Sequence, residues 1–289
     1  MDLWLIYALG AAVFAALTTI LAKLGLKGVD SHLATAIRTM VVLVFTWLMV
    51  VIVGSQNTIA YVETRTWVFL ILSGLATGGS WLCYFHALKI GDVNKVVPVD
   101  KSSTILAMLL AAIFLSEPFG IITAAGMVFI GIGTWLMLEI KKNSDFRQSN
   151  KKWLFYAIMA AVFCALTTIL GKIGIEGVEA NLGVAIRTVA VVPMSWVMVL
   201  LTKGHKKISA VSGKNWTFLL LSGLATGGSW LFFYRALQLG NTIHVVPIDK
   251  LSIVFTMGFA ALLLKERFSK RSIIGLALLT IGTLVPIFI

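Results

Sequence analysis

Read for apolar and polar positions, the chain alternates long apolar runs with short polar connections. Ten runs stand out, at about 3–24, 31–53, 67–88, 95–115, 120–139, 153–173, 180–202, 216–237, 244–264 and 270–289. A hydrocarbon core about 30 Å thick needs roughly 20 apolar residues per helix, and each run meets that length. No run shows the period-2 alternation over about ten residues that marks a strand of a transmembrane barrel. The pattern predicts an all-α polytopic membrane protein of ten transmembrane helices. The connections are short except at 54–66, 140–152 and 203–215.

The chain also repeats itself. Shifted by 149 residues, positions 1–140 align with 150–289 without a gap, and 63 of the 140 pairs are identical. The shared segments include ALTTIL (16–21 and 165–170), AIRT (36–39 and 185–188), LSGLATGGSWL (72–82 and 221–231) and VVP-x-DK (96–101 and 245–250). Composition alone could match leucines, but it would not hold Arg, Pro, Asp, Lys and Trp in register. The organisation this predicts is a first five-helix repeat at 1–140, a basic linker at 141–152 and a second repeat at 153–289. Five is odd, so the second copy must enter the membrane from the opposite side, giving 5+5 inverted-topology repeats.

Charge tests the inversion independently. Assigned by helix count, the side holding the linker carries sixteen Lys and Arg, against Arg65 and Arg235 alone on the other. Positive residues collect on the cytoplasmic side. The expectation is a multi-pass protein of the cell (plasma or inner) membrane, with the linker in the cytoplasm and both termini outside. Composition agrees: 59% of residues are apolar, 12% are charged and the mean hydropathy is +0.96. A soluble enzyme, a disulfide scaffold and a disordered chain are excluded. The net charge of +12 sits in short runs between helices, not in a groove-facing stripe, which argues against nucleic acid. Cys83 and Cys164 fall inside apolar runs and read as small buried hydrophobes. The start of the chain lacks a basic region and a cleavage site, so its first run reads as a retained helix.

With these motifs in place, the chain resembles the EamA-type branch of the drug/metabolite transporter superfamily. The AIRT, SGLATGGSW and VVP-x-DK segments, with Glu117 and Glu266 near the ends of the fourth helix of each repeat, look most like its small single-unit members, two of which appear fused here. The resemblance implies a transporter working by alternating access, from a family that exports amino acids, other metabolites and drugs. Ten-helix members are usually drawn with both termini in the cytoplasm, whereas charge here argues the reverse. Small multidrug exporters of the superfamily exchange protons for cations at a Glu in helix 1. The middle of helix 1 here reads Ala-Ala-Val-Phe-Ala-Ala-Leu, and helix 6 likewise holds no acid.

An ionisable group within lipid costs about 2.5–3.5 kcal/mol at a helix centre, so each is a candidate for function. Repeat one offers Lys23, Arg38, Asp100 and Lys101, and repeat two offers Lys172, Arg187, Asp249 and Lys250. At 1.5 Å per residue, Arg38 lies roughly 10 Å inside the membrane and Asp100 nearer 7 Å. One cluster then falls toward the linker side and its twin toward the other, as two gates would. Asp100 is expected to pair with Arg38 or Lys101 when the inner gate is closed, and Asp249 with Arg187 or Lys250 when the outer one is. The plainer reading is structural ion pairs, with Lys23 and Lys172 snorkelling to the interface. Three bases to one acid in each cluster favour an anion or the carboxylate of a zwitterion.

Cavity candidates are Thr18, Thr19, Thr77, Ser80, Trp81, Tyr84, Thr167, Thr168, Thr226, Ser229 and Trp230. The small residues of helix 3, with Gly74-x-x-x-Gly78, suit either close packing or a cavity wall. Trp4, Trp67, Trp153 and Trp216 begin helices and read as interfacial anchors. Pro98 and Pro247 are placed in the first turn of their helices. No spacing of His, Cys, Asp or Glu suits a metal, and no nucleophile–base set suits an enzyme. No cofactor is expected; proton coupling through Asp100 and Asp249 stays open. The expected partners are a small-molecule substrate and the lipid bilayer, with a monomer as the default. The function expected is secondary active export of a small polar metabolite, such as an amino acid or organic anion. The alternatives are an organic-cation exporter and a non-transport scaffold or lipid-handling protein.

Overall fold

The computed structural model describes residues 2–26, 28–91, 93–137, 152–204, 208, 211–265 and 268–288. The 141–152 linker, Lys152 apart, and Glu266 lie outside them. Repeat one comprises α1 (Leu3–Gly25), α2 (Ser31–Val53), α3 (Thr64–Ile90), α4 (Val93–Lys101), α5 (Ser103–Phe114) and α6 (Ile121–Met137). Repeat two comprises α7 (Lys152–Ile175), α8 (Ala180–Leu201), α9 (Gly213–Leu239), α10 (Thr242–Lys250), α11 (Ser252–Leu264) and α12 (Lys270–Phe288). A 3-10 helix at Ser55–Tyr61 fills the long connection after α2. Among the described residues, nine segments are long and apolar enough to span a membrane, counting α4–α5 and α10–α11 as one each. The shorter α6 makes the tenth. The protein is a ten-helix, all-α membrane protein.

Punctuation recurs at the same register in both halves. Gly28 and Gly177 end the first connection of each repeat with φ of 77° and 76°. Ser116 and Lys265, with φ of 52° and 55°, end the fourth helical segment of each. The caps also correspond: Asp30 accepts from the backbone N–H groups of His32 and Leu33, and Glu179 accepts from that of Leu182.

The repeats interlock. The main helix pairs are α1 with α9, α3 with α7, α2 with α8 and α6 with α12, so each joins one half to the other. Hydroxyls join the first two pairs. Ser222 donates to the Thr18 carbonyl (3.0 Å) and Ser229 to that of Ala11 (3.0 Å). Their counterparts Ser73 and Ser80 donate to Thr167 (2.7 Å) and Ala160 (2.9 Å). Two glycines of the same helices, Gly74 and Gly223, face elsewhere. A Cβ on Gly74 would meet the Arg187 carbonyl at 2.7 Å, and one on Gly223 would meet Val41 at 2.6 Å. Close packing against α8 and α2 therefore accounts for these glycines. The α6–α12 crossing is closer still, with Gly126 against Gly282 and Gly133 against Gly275.

The fourth segment of each repeat differs from expectation. It starts at 93 and at 242, not at 95 and 244, so Pro98 and Pro247 fall in the second turn and not the first. Each is also interrupted near mid-span. The Ser102 N–H is shared between the Pro98 and Val99 carbonyls, and the Leu251 N–H bonds Ile248 three residues back. That tighter turn separates α4 from α5 and α10 from α11.

Gly133→Ala is expected to lower the thermal unfolding midpoint, because its Cβ meets the Gly275 carbonyl at 2.6 Å. Overpacking of this kind costs about 1–3 kcal/mol. Gly258→Ala, with nothing within 4 Å, should leave the midpoint unchanged or raise it.

Candidate substrate-binding site

Glu179 starts α8, and Arg187 follows seven residues into the helix, roughly 10 Å deep. Its side chain crosses to α3, where Ser73 and Thr77 stand one turn apart. The Nε donates to Ser73 Oγ (3.1 Å) and Nη2 to Thr77 Oγ1 (2.6 Å). The guanidinium carbon lies 4.7 Å from the Trp230 ring centroid and 5.2 Å from that of Tyr234. Arg187 is 3% exposed, and among the described residues its contacts are hydroxyls and π-faces, with no carboxylate. Its Nη1 is buried and without a hydrogen-bond partner. A buried cation so incompletely matched has an unmet demand for an anion.

Arg187 lines a cavity of about 260 Å³ with Thr167, Thr168, Ser229, Trp230, Asp249 and Lys250. Ala15, Cys164, Phe233, Tyr234 and Val246 complete the wall. Lys250 Nζ stands 3.4 Å from Asp249 Oδ2. Asp100, Asp249 and Cys164 all lie within Coulombic range of that ammonium. Asp100 of the first repeat thus acts on the ammonium of the second, and the charged sets of the two repeats are not isolated at separate levels. The fourth segments begin two residues sooner, which puts Asp100 and Asp249 deeper, and the long lysine side chain closes the remaining gap.

The repeat-one set is more dispersed. Arg38 does not pair with Asp100; its Nη2 donates to Thr226 Oγ1 across the repeats (3.1 Å). Thr226 gives its own proton to the Ser222 carbonyl (2.7 Å), so Thr18 is the donor in the Thr18–Thr226 contact (3.3 Å). Arg38 is half-buried and lines an open cavity of about 440 Å³ with Thr18, Thr19 and Lys23. Among the described residues no aromatic ring lies over it. Lys101 stands 3.7 Å from Asp100 and lines a different cavity, against Trp135 of α6.

Other candidates have structural partners. Lys172 does not point toward water: its Nζ donates to the carbonyls of Leu237 and Gly240 at the end of α9. Ser80 is buried in the α3–α7 contact, Trp81 is half-buried, and Tyr84 packs edge-on to Phe85. Two residues were missed as site components. Tyr234 replaces Phe85 of the first repeat, and that phenol for phenyl at one register was the available signal. Glu117 accepts from the Thr242 and Ile243 N–H groups, both at 2.7 Å, and so caps α10 of the other repeat.

The EamA-like transporter family matches the chain twice, at residues 2–139 and 151–288. The chain belongs to that family. A protein of Sinorhizobium sp. described as an "Uncharacterized transporter in cobO 3'region" is 42% identical over 134 residues, covering 46% of this chain and 95% of its own length. It matches a single repeat. An Archaeoglobus fulgidus protein described as an "Uncharacterized transporter" is 22% identical over 281 residues, covering 97% of this chain and 96% of its own. A solved structure superposes with a TM-score of 0.81 at 18% identity, covering 99% of this chain and 97% of that one, which shows a shared fold. The protein is a multi-pass membrane transporter, and this membership points away from an enzyme.

Thr77→Val removes an acceptor from a sealed guanidinium and is expected to cost about 1–3 kcal/mol. Thr226→Val, beside the more open Arg38, should cost clearly less. Chemical or thermal unfolding of the two variants checks the order. Glu117→Ala should lower stability by about 0.5–2 kcal/mol through loss of the α10 cap.

Proposed function

We propose that the protein is a secondary active exporter of a small polar metabolite bearing an anionic group, such as an amino acid or organic anion. It works by alternating access between the two inverted repeats. The observation that carries this reading is the unequal state of two arginines at one register. Arg187 is sealed beneath Trp230 and Tyr234, whereas Arg38 holds one hydroxyl and faces an open cavity. Inverted repeats interconvert states by exchanging such local arrangements, so the sealed and open sides mark one end of a transport cycle. On the charge bias, the open side is the cytoplasmic one, both termini are outside, and the conformation is inward-facing.

A carboxylate entering the central cavity would meet the unpartnered Arg187 Nη1, while an ammonium group would meet Asp249. A hydrophobic organic cation fits less well, because Arg187 already occupies the faces of Trp230 and Tyr234. Protons are the proposed coupling ions, taken up at Asp100 and Asp249. Because the helix pairs are completed within one chain, a monomer suffices.

Uptake and efflux in proteoliposomes, with amino acids, organic anions and organic cations under a pH gradient, test the reading. Gradient-dependent movement of a zwitterion or anion is expected. Asp100→Ala and Asp249→Ala should each abolish it while inserting normally. Transport restricted to hydrophobic cations, or full transport by both variants, would overturn the reading.

A further inference from the structure

A second cavity lies on the linker side, away from the central one. It encloses about 480 Å³ between the start of α2 and the ends of α3 and α8. His32, His86 and Lys89 line it on the polar side, and Phe85, Met198 and Leu201 on the apolar side. Among the described residues, no carboxylate takes part in the lining. Asp30, the nearest acid in sequence, is engaged in capping α2 through the His32 and Leu33 N–H groups. His32 packs edge-on to Phe85 with ring centroids 4.3 Å apart, and its Nδ1 is buried without a hydrogen-bond partner. The His86 ring meets Tyr156 at 4.2 Å, and His86 and Lys89 are both exposed.

The inverted repeat supplies an internal control. The equivalent cavity at the opposite side, about 350 Å³, is lined by Glu179, Asn181 and Arg235 with Tyr7, Met49 and Phe232. At the register of His32, His86 and Lys89, repeat two carries Asn181, Arg235 and Gln238. There the Arg235 guanidinium is bonded to Gln238 Oε1 (2.5 Å), and Glu179, although it too caps its helix, lies in the lining, where its counterpart Asp30 does not line the linker-side cavity. Leu82 and Met198 of the linker-side wall recur in register as Leu231 and Met49, whereas Phe85 and Leu201 have no counterpart in the opposite lining. The excess of base is particular to the linker side.

We propose that the linker-side cavity binds an anionic phospholipid, its phosphate held by Lys89, His86 and His32 and its acyl chain laid along Phe85, Met198 and Leu201. A free phosphate would satisfy the bases but would leave the apolar wall unused. A zwitterionic lipid would use the wall but carries its own cation. Position also favours a lipid, because the bases lie at helix ends, where headgroups lie, and the apolar residues continue along the helices toward the bilayer core.

The full chain in mild detergent is titrated with phosphatidylglycerol, phosphatidylcholine and inorganic phosphate, reading the thermal unfolding midpoint and retained lipid by native mass spectrometry. Phosphatidylglycerol should bind and raise the midpoint, phosphatidylcholine should do so far less, and inorganic phosphate should not displace the lipid at equal concentration. Lys89→Gln should weaken phosphatidylglycerol binding about fivefold, the worth of one lysine near a membrane surface, and His86→Gln should weaken it as well. Their midpoints in phosphatidylcholine should match the parent's. Arg235→Gln, in the equivalent cavity, should bind phosphatidylglycerol as the parent does. Equal binding of the two lipids, unchanged binding by both linker-side variants, or displacement by inorganic phosphate would overturn the proposal.

Discussion

The Ser73 hydroxyl has one proton, and the Thr167 carbonyl takes it. Both lone pairs are then left to accept, from the Arg187 Nε–H and from the Tyr234 hydroxyl at 3.3 Å. One small side chain thereby joins α3 of the first repeat to α7, α8 and α9 of the second. In lipid, a backbone carbonyl or a hydroxyl without a partner is costly, so this saturation holds the four helices together. The same reasoning explains why the arginine needs no acid. Its charge is spread over hydroxyl dipoles and ring faces, leaving the Nη1 amino group for a ligand.

Duplication with inversion explains why the matching set in the first repeat looks different without a change of chemistry. Ser222, Thr226 and Thr18 repeat the hydroxyl pattern, and Arg38 reaches Thr226 as Arg187 reaches Thr77. What changes is the aromatic cover. Phe85 stands where Tyr234 would, but packs on His32 and has no hydroxyl with which to reach a serine. Two repeats identical at 63 of 140 positions thus show two side-chain arrangements in one structure.

Much of this was legible in the chain itself. Run lengths, the 149-residue register and the match of Arg38 to Arg187 required only apolar periodicity and a self-comparison. Partner choice was not legible. Asp100 was expected to pair with Arg38 or Lys101; Lys101 stands 3.7 Å from it, but Arg38 is met by Thr226 on a helix of the other repeat. Helix-to-helix neighbours across an inverted duplication cannot be read from spacing. Lys172 misled for a similar reason: a lysine near a helix end usually seeks water, but here the end of α9 offers carbonyls closer by. The depth of Asp100 depended on where its helix begins, and helix starts are the least certain boundary in any sequence reading.

Glu117 has one more consequence. Its carboxylate holds two backbone N–H groups of α10, so the far end of α5 and the start of α10 are tied across the repeats. A hinge at that helix end would break two charge-assisted bonds at once. The fourth segments are instead interrupted further in, at Ser102 and Leu251, where the backbone ladder has already tightened and less would be lost by flexing it. Each interruption sits one residue past an Asp–Lys pair, so a bend there would re-aim a carboxylate and an ammonium together.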